Sequence, residues 1–461
     1  MSMQTPMASH APASGGVTLP LCFIIFFSVL NGTMFNVAVP FIATEFTLLP
    51  SEVSWTVTGY IVVFALGATV YGKLADSRPV RSLITLGLVL FNAGSLLGLV
   101  SAWYPMLVAA RVIQAAGASA IPALAMIAAT RYARPGERGR MLGAFASTVA
   151  FGAGVGPVVG GFITGSLHWR YLFVLTALTL LAVPTLRRRL PREPSRPARL
   201  DLIGVALLGL AVGCAIYGIT TRGTHAPALF ASGLVAGAVF LWHIRRSSDP
   251  FITPAIFANI PFRGSITTAF LSMGSMFVVF FCTPLMLRMV SGMDAHAIGM
   301  TLFPGALCAA VMGTLGGRLV DRYGGWRMVV AGNAVMLAGH LALSTIAGAP
   351  ALAVGAALVV SYTGFSFLQS SIPHTVSTHL PPEHTGVGMG MYNLFFFIAG
   401  GFTTALAGRA LDAGAGGRAW NPLSEIPGAG AFSNVFLALA LTVAVSLAVF
   451  VMSVPRRGAH A

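Results

Sequence analysis

Acid is what this chain has least of: twelve Asp and Glu in 461 residues, against 27 Lys and Arg. With 56% hydrophobic and 8% charged residues and a mean hydropathy of +0.83, it has too little polar surface to cover a water-soluble globule of its size. Cysteine is nearly as scarce. Cys22, Cys214, Cys282 and Cys308 stand singly in apolar stretches, which excludes a disulfide framework, a paired redox motif and a thiolate metal site. There is no low-complexity tract, no heptad run and no segment that reads as a soluble domain. No His, Asp, Glu and Ser gather at catalytic spacing inside the apolar segments, so an enzyme is not expected. The polar first sixteen residues lack the basic start of a cleaved signal peptide, and Val17 to Ile42 is expected to remain as a first membrane span.

What is abundant is long apolar sequence. Runs of about 18 to 25 residues, enough to cross a hydrocarbon core of ~30 Å, begin near Val17, Val53, Ser82, Tyr104, Met141, Tyr171, Leu202, Ala228, Gly264, Ala295, Met328, Ala351, Gly386 and Phe432. With both termini placed inside, nearly all Lys and Arg fall on the cytoplasmic side. Only Arg170, Arg222, Arg288, Arg409 and Arg418 fall outside, and Arg111 falls within a span. The formal charge of +15 therefore reads as topology and attraction to anionic inner-leaflet lipid, not as a nucleic-acid footprint. The expected class is an all-α integral membrane protein with fourteen transmembrane helices. Its expected divisions are a disordered cytoplasmic N-terminus (1–16), a six-helix bundle (17–187), a basic linker (188–201), two inserted helices (202–246), a second linker (247–263), a second six-helix bundle (264–455) and a tail (456–461). The Gly- and Pro-rich loop from Asp412 to Ala431 reads as a flexible connection on the outer face.

A repeat supports the two-bundle reading. Gly72-Lys73-Leu74-Ala75-Asp76-Ser77-Arg78-Pro79-Val80-Arg81 returns as Gly317-Arg318-Leu319-Val320-Asp321-Arg322-Tyr323-Gly324-Gly325-Trp326-Arg327, each in a short basic link between apolar segments. Three more features stand in the first half. Arg111, followed by Gln114 on the same helix face, lies about seven residues from the outer end of the fourth span, roughly 10 Å deep. An unpaired charge there costs on the order of 3 kcal/mol or more, so Arg111 must face a cavity or a buried partner, or tie helices together through carbonyls. On the fifth span, Gly152, Gly154, Gly156, Pro157, Gly160 and Gly161 allow close backbone approach and loosen the helix ladder. The loop Arg134-Pro135-Gly136-Glu137-Arg138-Gly139-Arg140 leads into that span.

Together these features resemble the fourteen-span drug:proton antiporters of the major facilitator superfamily, over nearly the whole chain. The resemblance implies a proton-coupled exporter working by alternating access, with no cofactor and the proton gradient as energy source. Asp76 would pair with arginines such as Arg78 and Arg81 and accept from a helix N-terminus to lock the cytoplasmic gate. Glu137 and Arg140 would join that network or lie in a solvated loop, and Asp321, Arg322 and Arg327 would preserve the pattern in the second half. Arg111 would be the basic residue linked to proton transfer, and the glycine-rich fifth span the feature that separates exporters from importers. The cavity-lining spans would offer Asn31, Phe35, Tyr60, Phe64, Gln114, Met273, Phe277, Tyr362, Phe365 and Gln369, which suit amphiphilic organic molecules.

The chain departs from the pattern in two places. Pro79 stands where the family has glycine. The first span, with Leu30-Asn31-Gly32-Thr33 before Asn36-Val37-Ala38-Val39-Pro40, lacks the carboxylate common in multidrug and tetracycline exporters. No acid lies near the centre of any predicted span. Neutral, zwitterionic or anionic substrates are therefore expected over dications, and Asp294 or His340 are the candidate proton carriers. A bacterial-type inner membrane, a monomer, and small molecules, protons and lipid as partners complete the expectation. The alternatives are a dedicated exporter of one endogenous metabolite, sugar or lipid, and a non-transporting receptor or scaffold.

Overall fold

The computed structural model describes residues 15–133, 137–191, 193–194, 201–247, 250, 252–414, 417–424 and 426–456. Fourteen helices are long and apolar enough to cross a membrane. In order they are Gly16–Glu45, Pro50–Leu74, Val80–Leu99, Tyr104–Tyr132, Arg138–Ser166, Trp169–Arg189, Leu202–Thr220, Ala226–Arg246, Ile260–Met289, Ala295–Tyr323, Gly325–Thr345, Ala351–Thr378, His384–Gly414 and Gly430–Ser453. They are called the first to fourteenth spans below. The protein is an all-α, multi-pass membrane protein. The end at which the Gly72–Arg81 loop lies is called the basic end, and the other the far end.

Spans one to six pack mainly among themselves, as do nine to fourteen. The two groups meet where the fifth span lies on the tenth and the second on the thirteenth. The seventh and eighth pair with each other, and the seventh leans on the thirteenth and second. Only 22% of the most apolar window of each inserted span is buried, against 78% for the ninth, which puts the inserted pair at the periphery and the ninth at the centre.

Local chemistry fixes several helix ends and bends. Asp201 caps the seventh span through Gly204 N, and its carboxylate also meets His243 Nε2 of the eighth at 2.7 Å. Asp294 caps the tenth by accepting from Ala297 N at 2.8 Å. The ninth span carries a π turn over Ala269–Met273. At the far end of the first half, Glu45 gathers Trp169 Nε1, His168 Nε2 and Arg170 Nη1, while Arg170 also donates to the Ser101 carbonyl at 2.8 Å. That cluster ties the ends of the first, third and sixth spans into one rigid cap.

The glycines of the fifth span divide between two neighbours. A Cβ on Gly156 would strike Thr33 Oγ1, and one on Gly160 would lie 2.5 Å from the Met34 carbonyl, so this four-residue stripe lets the first span approach. A Cβ on Gly161 would lie 2.6 Å from the Ala295 carbonyl, and one on Gly299 would lie 2.5 Å from that of Pro157, so this face meets the tenth span across the interface of the halves. Gly152 follows the first stripe, 3.2 Å from the Phe26 carbonyl, and Gly154 the second, 3.7 Å from that of Ala306. Small residues are what permit such contact where no hydrophobic drive separates helix from lipid.

Contacts between the halves concentrate toward the far end. Besides the fifth and tenth spans, Thr58 Oγ1 donates to the Gly401 carbonyl at 3.4 Å and Ser51 N donates to Asp412 Oδ1 at 3.2 Å. In the basic half, a Cβ on Gly72, Gly139, Gly143, Gly313, Gly317, Gly386 or Gly390 would meet nothing within 4 Å. The far end is thus closed by contacts between the halves, while at the basic end Lys73 Nζ reaches the Pro250 carbonyl, at 3.4 Å, in the linker before the ninth span.

Candidate functional site: a buried arginine over an aromatic cavity

Between the halves lies a cavity of about 230 Å³, walled by Tyr60, Phe64, Phe277, Phe280 and Phe397 with Ser28, Thr33, Asn36 and Arg111 as its polar members. The aromatic rings touch in sequence. Tyr60 stacks on Phe64 at 6.0 Å, Phe64 meets Phe397 at 4.9 Å, and Phe277 meets Phe280 at 6.0 Å. The second, thirteenth and ninth spans thus share one aromatic surface. No Asp or Glu among the described residues lines the cavity.

Arg111 is 1% exposed. Its guanidinium lies between the rings of Phe35 and Tyr60, 4.1 Å from each centroid. Nε donates to the Thr56 carbonyl at 3.2 Å, and Nη1 donates to Asn31 Oδ1 at 3.0 Å and Gln114 Oε1 at 2.5 Å. Gln114 Nε2 in turn donates to Ser95 Oγ at 2.8 Å, and Ser95 to the Phe91 carbonyl at 2.7 Å. The charge is held by carbonyl dipoles and two ring faces, with no carboxylate in contact among the described residues. Nη2 makes no hydrogen bond among them. A cation so placed keeps its positive field, repels a second cation and offers one N–H pair to an acceptor.

The structure sorts the expected cavity residues. Tyr60, Phe64 and Phe277 line the cavity. Asn31, Phe35 and Gln114 stand behind it as the cradle of Arg111. Tyr362 and Phe365 back Phe280, at 5.3 and 5.8 Å between rings, while Met273 is fully buried and Gln369 is exposed. Phe280 and Phe397, with Ser28, Thr33 and Asn36, are wall residues that sequence reasoning did not select. Two Phe among 31 carry no mark of their own.

At the basic end, Arg131 Nη2 lies 3.0 Å from Asp76 Oδ1 and its Nη1 donates to the Ala75 carbonyl at 2.7 Å. Asp76 thus joins the fourth span of its own half, and its side chain remains 78% exposed. Neither Arg78, Arg81, Glu137 nor Arg140 is ion-paired with Asp76 among the described residues; Arg134, Pro135 and Gly136 lie outside them. Asp321 has no ion pair among the described residues, Arg322 lies over Tyr323 at 5.3 Å, and Arg327 is free of ion pairs among them as well. His340 is fully buried, with Nδ1 donating to the Met336 carbonyl at 2.7 Å. Asp294 serves its own helix end.

Two six-helix bundles meeting around a central cavity and sealed at the far end are the architecture of a membrane transporter of small molecules. The family description "Major Facilitator Superfamily" matches residues 21–404, and the chain belongs to that family. It is a transporter and not an enzyme. It is 29% identical over 390 residues to the uncharacterized transporter YebQ of Escherichia coli, covering 82% of this chain and 85% of that one. It is 23% identical to the riboflavin transporter RibZ of Clostridioides difficile (86% and 88% covered) and 24% identical to the multidrug efflux pump LfrA of Mycolicibacterium smegmatis (89% and 83% covered). Among solved structures, a bacterial homologue of the human lysosomal transporter Spinster, in an inward-facing occupied conformation, superposes with a TM-score of 0.67 at 17% identity, covering 98% and 97% of the two chains. That likeness is one of fold.

Proposed function

We propose that this protein exports small amphiphilic aromatic compounds from the cytoplasm across a bacterial-type inner membrane, by alternating access and in exchange for protons, with both termini cytoplasmic. The observation that carries the reading is the aromatic cavity beside Arg111, with no acid among its described lining and sealed from the far end, which leaves the end rich in Lys and Arg as its access. The positive-inside bias makes that end cytoplasmic. The ring faces take up flat apolar bodies, and Arg111 selects for neutral, zwitterionic or anionic compounds with a hydrogen-bond acceptor. The gate residues of the first half are Asp76 and Arg131, with Arg78, Arg81, Glu137 and Arg140 around them. Those of the second are Asp321, Arg322 and Arg327. The glycines of the fifth span are the seam on which the halves rock.

The multidrug pump and the riboflavin transporter among the relatives support the two substrate readings, a broad range of compounds or one flat heteroaromatic metabolite. Both use the same wall. Inverted membrane vesicles, acidified inside and followed with a pH-quenched dye, separate them. Loss of the gradient on adding several unrelated neutral or anionic aromatics, absent in Arg111→Ala, fits the broad reading, and response to one compound alone fits the narrow one. Extrusion by cells with no proton movement in vesicles overturns proton coupling, and a preference for dications overturns the role given to Arg111.

A further inference from the structure

The far end holds a buried carboxylate that joins three parts of the molecule. The Asp412 side chain, on the last turn of the thirteenth span, is 0% exposed. Oδ1 accepts from Ser51 N at 3.2 Å, at the first turn of the short helix Pro50–Val53 that begins the second span. Oδ2 lies 3.2 Å from Arg222 Nη2, in the link between the seventh and eighth spans. Three parts of the molecule therefore meet at one carboxylate: the first half through Ser51, the second through Asp412 itself, and the inserted pair through Arg222. One turn earlier, a Cβ on Gly408 would lie 2.9 Å from both the Pro50 carbonyl and Ser51 Cα, so the helices are in backbone contact beside the acid. Trp55 Nε1 of the second span donates to Thr220 Oγ1 of the seventh at 2.9 Å, which holds the inserted pair against the same seam.

We propose that this is a latch, and that the inserted spans are part of it. Asp412 supplies a negative counter-charge to the N-terminus of the second span, and the half-exposed Arg222 compensates that buried charge from the solvent side, 3.2 Å away. The far end cannot open without separating Asp412 from Ser51. The inserted pair thereby biases the transporter toward the state closed at the far end. This rests on the alternating-access part of the function proposed above and not on the substrate, so the test uses no substrate.

The test is labelling of a single cysteine in full-length protein in lipid nanodiscs. The four native cysteines are replaced by Ala, and Ala295→Cys is the reporter. Ala295 is 1% exposed at the seam of the fifth and tenth spans, on the opposite pair of helices from the latch. Its reaction rate with a polar maleimide reads far-end opening. Asp412→Asn and Arg222→Gln are each expected to raise the rate about 3- to 10-fold, and the double variant no more than the larger single one. Arg222 is half exposed, so its substitution tests the latch even where a change at the buried acid harms folding. An unchanged rate in Arg222→Gln, or effects of the two substitutions that multiply, overturns the latch. Failure of export with the labelling shifts intact overturns the proposed substrate reading alone.

Discussion

The two halves share a repeat and solve the same interior problem differently. In the first, the buried polar centre is a full charge, Arg111, held by two amides, a backbone carbonyl and two ring faces. In the second, it is a neutral seam. Ser272 Oγ donates to Asn333 Oδ1 at 2.7 Å and lies 2.6 Å from Ser446 Oγ, joining the ninth, eleventh and fourteenth spans. Toward the far end Ser344 and Ser433 exchange hydroxyl-to-carbonyl bonds of 2.9 and 2.7 Å. A neutral seam satisfies itself and leaves nothing over, so it holds helices together. A cation without a counter-ion leaves a field in the cavity beside it. On the function proposed above, selection by charge falls to the first half, while both halves supply rings to the cavity wall.

Breaking the charged centre has the largest expected effect. Arg111→Ala removes the cation and strands Asn31 and Gln114, and export is expected to fall more than about tenfold, a loss of 1.4 kcal/mol or more. Arg111→Lys keeps the charge but not the planar fork, and should retain an intermediate rate. Equal rates for Lys and Ala would show that charge is not what matters. Next is the seam between halves. Gly161→Val sets a branched side chain against the Ala295 carbonyl, and the transport rate should drop severalfold while the yield of folded protein holds. A matching loss of yield would make Gly161 a folding residue instead.

The neutral seam should behave in the opposite way. Ser272→Ala should lower thermal stability by about 0.6 to 1 kcal/mol and leave transport per folded molecule unchanged, which melting curves and uptake on the same preparation would check. The smallest effect is expected at the basic end. Asp76 is paired with Arg131 and Asp321 has no ion pair among the described residues, so Asp76→Asn should cost about 0 to 1 kcal/mol and Asp321→Asn less in this state. Comparison of melting temperatures in low and high salt would read it, and a larger loss at Asp321 would reverse the order of the two gates.

Sequence went furthest where physics is local. An apolar run long enough to cross the bilayer has to be a helix, because lipid offers its backbone no partner; hence every start from Val17 to Phe432 lies within a few residues of an observed span. Arg111 stood out because charge in such a run is costly, and the glycines of the fifth span because their spacing is helical. Phe280 and Phe397 did not, since phenylalanine in a span is ordinary and only packing decides which ring faces a cavity. Gln369 shows the converse: a polar residue on the right span, one turn beyond Phe365, that is exposed and not part of the cavity wall. Asp412 read as the start of a loop, and its contacts with Ser51, 361 positions away, and with Arg222 have no trace in local pattern.

The sequence by itself determined that this is a membrane protein of fourteen spans in two related halves, with one cation buried in the first, because hydropathy, charge bias and motif spacing act through the chain's immediate neighbours. Only the tertiary structure decided which faces meet, that the far end is closed, and that the cation is wrapped by rings and amides. Those facts depend on contacts between residues tens to hundreds of positions apart, where the packing of two bundles, and no local preference, selects the partner.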